Sequence, residues 1–391
     1  MRRWDIFCTV VDNYGDIGTC WRLAQQLANE HDADVRLWVD QLQNFACLCP
    51  AVSTRTDEQR VGRIEIRHWR SNFPKVEVAD VVIEAFACEL PESYIATMAQ
   101  RTVPPLWINL EYLSAEDWVD GCHRLPSLRT KWPLTKYFFF PGFTPRTGGL
   151  LRERNLLADR AAFDSAAEAA FWSSVGVPAR SDRELRVSMF CYQNASLPDL
   201  LQCWADGRNA VTVLVTPGPS ADQVADWFGV PFLPETPLRR SSLTAYPLPF
   251  LPQASFDRLL WSCDVNFVRG EDSFVRAQWA GRPFVWQIYP QAEEAHLVKL
   301  EAFLGQYLGG FEESAVVRRC WHVWNSRGNI ASVWPDFAAN RLAIEQHGKI
   351  WASTLDQMGD LADNLVGFVR GIKDVGINKS QNKIGTLPWV S

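Results

Sequence analysis

Three features of this chain predict an α/β fold made of two facing Rossmann-like domains. A short apolar run, Ile6 to Val11, feeds a Gly/Asp-rich turn and then a segment whose apolar residues recur at helical spacing. Strand and helix signals keep alternating to about residue 140, and they restart after a linker rich in Pro, Gly and Thr. At 391 residues the chain is also too long for one core, because single cores stop growing near roughly 250–300 residues.

The first turn, VDNYGDIG (Val11 to Gly18), sits between that strand and a helix carrying Ile17, Cys20, Trp21, Ala24, Leu27 and Ala28. Side chains at a strand's carboxyl end face the crevice where α/β proteins bind ligands, so Asp12 and Asp16 are candidate site residues. The turn either cradles a phosphate or does chemistry. Gly15 and Gly18 form only part of a G-x-G-x-x-G pattern, and Asp16 would repel an incoming pyrophosphate. A second strand, Val35 to Val39, ends at Asp40, about where a dinucleotide fold places its ribose-binding acid. That keeps a nicotinamide-dependent oxidoreductase in view as the alternative function. Further strands are expected at Arg63–Arg67, Asp80–Glu84 and Leu106–Asn109, with a helix at Pro91–Ala99. The run Ile108 to Val119 passes from a strand end into an expected helix capped by Ser114, with Asp117 three residues on and with Glu111 and Glu116 as cap or surface charges. An aromatic strand, Lys136–Phe140, closes this half. The linker Pro141–Asn155 follows, with Gly148-Gly149 as the expected hinge.

The second half is expected to open with an alanine-rich helix, Leu156–Ser174, stopped by Gly176 and Pro178. Strands follow at Leu185–Phe190, Val211–Val215, Leu243–Tyr246 and Val265–Val268, and helices at Leu197–Ala205, Asp222–Phe228 and Gln253–Trp261. The last strand ends at Arg269-Gly270, after which Glu271, Asp272 and Ser273 lead into a helix that runs to Ala280 and stops at Gly281; Ser273 is the expected cap. A helix N-terminus attracts an anion such as a diphosphate, and Arg269 adds a permanent charge beside it. An ion pair of Arg269 with Glu271 or Asp272 is the other reading of the same spacing. Phe190 and Tyr192 follow one strand, while Phe250, Gln253 and Phe256 surround the start of a helix. Aromatic faces with one amide to read an edge suit a planar base, so these residues form a candidate nucleotide pocket.

Composition narrows the classes. The net charge of −6 and the absence of a Lys/Arg-rich run argue against a nucleic-acid partner. No apolar run is long enough to span a bilayer, and the N-terminal apolar stretch is broken by Asp5 and Asp12, so no membrane association and a cytoplasmic location are expected. Ten scattered cysteines read as reduced thiols, and neither Cys47-x-Cys49 nor the six histidines have metal-ligand spacing. The eighteen tryptophans read first as core, with base or sugar stacking as the sharper alternative.

VDNYGDIG, TGGLLRE in the linker and RGEDSFVRAQWAGRPFVWQIYPQ in the second half resemble the EarP family of protein-arginine rhamnosyltransferases. The resemblance implies a two-domain GT-B fold, divided here as 1–155 on the acceptor side, 156–372 on the donor side and a polar tail at 373–391. It implies inverting transfer of L-rhamnose from dTDP-β-L-rhamnose to an arginine of elongation factor P, with no metal or other cofactor. Matched motif by motif, it implies catalytic roles for Asp16 as general base, Asp12 and Glu271. It implies donor-binding roles for Phe190, Tyr192, Phe250, Gln253, Phe256, Arg269, Asp272, Ser273 and Tyr289.

Overall fold

Two mostly parallel sheets, each reversing its strand order in the middle and the second carrying an antiparallel edge strand, organise the chain. A computed structural model describes residues 2–11, 14–181, 183–291, 295–326 and 328–381. The first half runs β1 (Arg3–Cys8), α1 (Gly15–Glu30), β2 (Asp34–Val39), α2 (Leu42–Leu48), β3 (Glu58–Val61), β4 (Ile64–His68), β5 (Val81–Ala85), α3 (Glu92–Gln100), β6 (Leu106–Leu110), α4 (Val119–Cys122), β7 (Pro126–Arg129) and β8 (Leu134–Phe139). Its strands lie in the order β3-β4-β2-β1-β5-β6-β8-β7, parallel except for the hairpin pairs β3·β4 and β7·β8. Order reverses between β1 and β5, so the crevice opens beyond their carboxyl ends.

The second half runs α5 (Leu156–Ala161), α6 (Ser165–Ser174), β9 (Leu185–Met189), α7 (Leu197–Asp206), β10 (Val211–Val215), α8 (Pro219–Phe228), β11 (Leu238–Arg240), β12 (Leu243–Pro247), α9 (Gln253–Ser262), β13 (Val265–Arg269), α10 (Asp272–Ala280) and β14 (Phe284–Gln287). Five further helices follow: α11 (Ala295–Tyr307), α12 (Ser314–Asn325), α13 (Trp334–Ala339), α14 (Arg341–Asp356) and α15 (Leu361–Gln381). The sheet order β11-β12-β10-β9-β13-β14 reverses between β9 and β13. Both sheets therefore direct their switch points into a shared cleft.

Central strands such as β5, β6, β10 and β13 are buried along their whole length, as expected where helices cover both faces of a parallel sheet. The face of α1 with Ile17, Cys20, Leu23, Ala24, Leu27 and Ala28 is fully buried. Burying each Leu- or Ile-sized side chain stabilises the fold by about 1.5–3 kcal/mol, which outweighs the weak intrinsic preference of so short a helix. Tryptophan serves mainly as core: Trp38, Trp107, Trp172, Trp204, Trp279, Trp321 and Trp324 are among the largest fully buried side chains. All ten cysteines are unpaired thiols.

Several expectations are corrected. The helix expected over Leu156–Ser174 is two helices, because the Asp164 carboxylate accepts from Ala167 N (2.9 Å) and starts α6 afresh. Ser114 caps no helix; its hydroxyl accepts from Glu116 N and donates to the Glu116 carboxylate, and the only helix of that run is the single turn α4. The unit expected over 156–372 does not follow the packing, since Leu361, Ala362, Leu365, Val366 and Val369 of α15 complete the first sheet's core. The polar tail expected from residue 373 begins inside α15, which runs to Gln381. The chain thus crosses the cleft twice. The crossings touch where Leu361 N donates to Leu150 O (3.0 Å) and Asn364 Nδ2 donates to Gly148 O (3.0 Å).

Candidate active site

The first wall of the cleft is the β1–α1 turn. Asp16 occupies the first turn of α1, where the helix dipole favours a carboxylate, and it is 3% exposed. Its Oδ2 accepts from Val11 N (2.7 Å) and its Oδ1 faces the Tyr112 hydroxyl (3.3 Å), so both oxygens are oriented. Tyr112 stacks on Phe86 (4.5 Å between centroids, 18°), and burial followed by the nearby Asp16 and Glu271 charges pushes its hydroxyl pKa upward. It therefore remains a proton donor to Asp16. Asp12 lies outside the described residues. Asp40 is committed to structure, because its Oδ1 accepts from Val10 N (2.9 Å) and anchors the turn.

The opposing wall is built on β9 and β13, the two strands flanking the second switch point. Arg269 ends β13, is 7% exposed, and lies over the rings of Phe190 (4.4 Å) and Tyr192 (4.6 Å), which follow β9. Such stacking fixes the guanidinium plane while its N–H groups still point outward. The ion-pair reading of Arg269 is not what the structure shows: Asp272 pairs instead with Arg22, and Glu271 accepts from Leu113 N (3.0 Å) across the cleft. Gly270, at φ +62, makes the sharp turn into α10, and Trp286 Nε1 donates to its carbonyl (2.8 Å). Ser273 is not the cap. It is the second residue of α10, and its hydroxyl accepts from Arg269 N (3.1 Å) and donates to Arg269 O (2.5 Å), tying the strand end to the helix. Glu271 precedes α10 without making a side-chain cap, so among the described residues the first N–H groups of the helix can still meet another acceptor.

These walls enclose two adjoining chambers. One is lined by Tyr14, Phe190, Thr216, Phe250, Gln253, Phe256, Arg269 and the α10 N-terminus. Phe256 meets Phe190 edge-on (5.7 Å) and Phe250 meets Tyr14 (5.1 Å). Gln253, expected to read a base edge, here donates from Nε2 to Gly18 O (3.0 Å) and so links the two halves. The second chamber, about 290 Å³, joins Asp16, Tyr112 and Glu271 to an apolar wall of Phe143, Phe274, Trp286 and Phe303. Tyr289 lines this second chamber rather than the first, half exposed and edge-on to Tyr192 (5.4 Å). Every described residue expected at the site thus borders one chamber or packs against a residue that does.

Sequence reasoning missed the charges between the halves. Arg22 of α1 contacts Glu153 (2.9 Å), Asp272 (2.9 Å) and Asp257 (3.4 Å). Arg276 of α10 contacts Asp257 (2.7 Å) and Glu153 (2.7 Å). Burial would raise the Glu153 carboxyl, but Arg276 and Arg22 outweigh it and hold the pKa at about 2. Arg22, lodged between Trp21 and Leu23 in a nearly apolar run, was the one available signal. Among the described residues no group of three or more His, Cys, Asp or Glu could hold a metal ion. No helix among them is long and apolar enough to cross a membrane.

Two Rossmann-like units with facing switch points, one presenting an oriented carboxylate and the other an aromatic-walled chamber beside Arg269, have the architecture of the GT-B class of glycosyltransferases. The chain belongs to the EarP family: the family profile for elongation-factor P (EF-P) rhamnosyltransferase EarP matches residues 4–370. It is 48% identical over 373 residues to a protein-arginine rhamnosyltransferase of Pseudomonas aeruginosa, spanning 94% of this chain and 99% of that one. It is 43% identical over 387 residues to the corresponding protein of Shewanella oneidensis, spanning 94% and 97%. A solved structure that explains EarP-mediated arginine glycosylation of translation elongation factor EF-P superposes with a TM-score of 0.69 at 33% identity, covering 95% of this chain and 99% of that chain. With this family membership the oxidoreductase alternative falls away.

Proposed function

We propose that this protein transfers L-rhamnose from dTDP-β-L-rhamnose to an arginine side chain of elongation factor P, with inversion and without a metal, in the cytoplasm. The observation that carries this reading is the opposition of Asp16, oriented through both oxygens, to Arg269 and the uncapped N-terminus of α10. Thymine takes the aromatic chamber of Phe190, Phe250, Gln253 and Phe256, and the diphosphate takes Arg269 and the first N–H groups of α10 around Asp272 and Ser273. The sugar then extends into the second chamber, beside Tyr192, Tyr289, Glu271 and Asp16.

Arginine's guanidinium is protonated at all ordinary pH and is a poor nucleophile. Asp16 orients it and takes one proton as the new C–N bond forms at the anomeric carbon and the C–O bond to the diphosphate breaks. Glu271, across the cleft, supplies the negative field that holds the incoming cation, a role the family resemblance also gives to Asp12. The charge leaving with the nucleoside diphosphate is received by Arg269 and the α10 dipole, which replaces the role a metal has elsewhere. With base and leaving group on opposite walls the displacement is in line, and the β-linked donor gives an α-linked product.

The test is mass spectrometry of elongation factor P after incubation with this protein and dTDP-rhamnose. One deoxyhexose on one arginine is expected, unchanged by EDTA, with an α-anomeric signal by NMR. An unmodified acceptor would refute the function, a β-linked product the inversion, and loss of activity on chelation the metal independence.

A further inference from the structure

Arg22 belongs to α1 on the acceptor side, yet three carboxylates from the linker and the donor side surround its buried guanidinium. Asp272 is the first residue of α10, at the N-terminus proposed to receive the diphosphate, and its carboxylate lies across from Gly18 of α1. A free carboxylate there would repel an incoming diphosphate and compete for the same helix N–H groups. Arg22 Nε holds it at 2.9 Å. Arg22 also shares Asp257 with Arg276, whose fork grips that carboxylate at 2.7 and 2.8 Å, so α9 and α10 are locked together. Two guanidinium groups face three carboxylates; without Arg22, Arg276 still holds Asp257 and Glu153, and Asp272 alone loses its guanidinium partner beside the donor chamber.

We propose that Arg22 is a positioning residue for the donor: it offsets Asp272 at the mouth of the diphosphate site and, being carried by α1, ties donor affinity to the apposition of the two halves. The inference rests on the reading that the α10 N-terminus receives the diphosphate. Helix α1 also carries Asp16, six residues before Arg22 and about 9 Å away along its axis. A contact that steadies the donor site therefore also sets where the base stands. Glu153, in the linker, bonds both Arg22 and Arg276 and anchors the arrangement to the segment that crosses between the halves.

Isothermal titration of dTDP into Arg22→Gln, Asp272→Asn and the double variant tests this, with thermal unfolding recorded for each. Arg22→Gln should lose on the order of tenfold in affinity. Arg22→Gln combined with Asp272→Asn should bind about as well as Asp272→Asn alone, because the charge that Arg22 offsets is gone; a purely architectural role would give additive losses instead. Unchanged affinity of Arg22→Gln, or additivity in the double variant, overturns the proposal. If Arg22→Gln does not fold, Arg22→Lys takes its place, since it keeps the charge but not the fork; a smaller loss supports the proposal and none overturns it. Arg269→Ala separates the two readings. If it keeps dTDP affinity the donor site itself is misplaced, whereas if it loses affinity and Arg22→Gln does not, only the role of Arg22 falls.

Discussion

Replacing Glu153 by Gln removes one charge from the buried cluster at the crossing while preserving shape. Its carboxyl pKa is held at about 2 against an ordinary 4.5, because Arg276 and Arg22 outweigh the cost of burial. A carboxylate held down binds fewer protons in the native state than in the unfolded chain. It thus contributes stability that is complete above about 4.5 and is lost as the pH falls through about 2. The gap corresponds to roughly 3 kcal/mol at about 1.4 kcal/mol per pH unit. With 36% of the Glu153 side chain facing solvent, screening reduces this to roughly 1–2 kcal/mol. Glu153→Gln should therefore lower the midpoint of thermal unfolding by on the order of 2 °C at pH 7. Circular dichroism melts of both proteins at pH 7, 5, 4 and 3 measure the difference, which should narrow below pH 4.5. A difference that stays constant, or widens, as the pH falls would refute the electrostatic argument.

Three further outcomes follow from the site. Asp16→Asn should reduce transfer by roughly 10²–10⁴-fold while dTDP binding, followed by calorimetry, stays at the parent value; retained transfer would remove Asp16 as base. Arg269→Ala should weaken dTDP by about tenfold or more, since a permanent charge stacked on Phe190 and Tyr192 is lost, and unchanged affinity would sink its role. Gly149→Ala should destabilise the fold by about 2 kcal/mol or more, because the residue holds φ +74 and a Cβ would come within 2.6 Å of Gly359 O. A melt coinciding with the parent's would show that the paired crossings yield readily.

Gly148-Gly149, the expected hinge, is packed against the return crossing. The linker lies against the return crossing at Gly359 to Leu361, so domain motion has to bend both strands of the crossing together.

The amino-acid sequence by itself determined the parts whose causes are local. Apolar periodicity set α1, β2, β10 and α9 within a few residues, and the Gly270 and Gly281 turns delimited α10, because helix and strand periods and positive-φ turns are written in neighbouring residues. It missed β3, β7 and β11, which are short, largely exposed hairpin strands with too few apolar residues to form a pattern. It also grouped Asp16, Arg269, Phe190 and Phe256 at strand ends, since a parallel sheet sends every such end to the same side. Only the tertiary structure decided how those ends are used. Whether Arg269 stacks or pairs, what holds the two oxygens of Asp16, and why Ser273 ties a strand rather than caps a helix depend on which neighbours packing supplies. Arg22 and Asp272 stand 250 residues apart and meet only because two sheets face each other. A charge's partner is chosen by proximity in space, and no sequence interval encodes that.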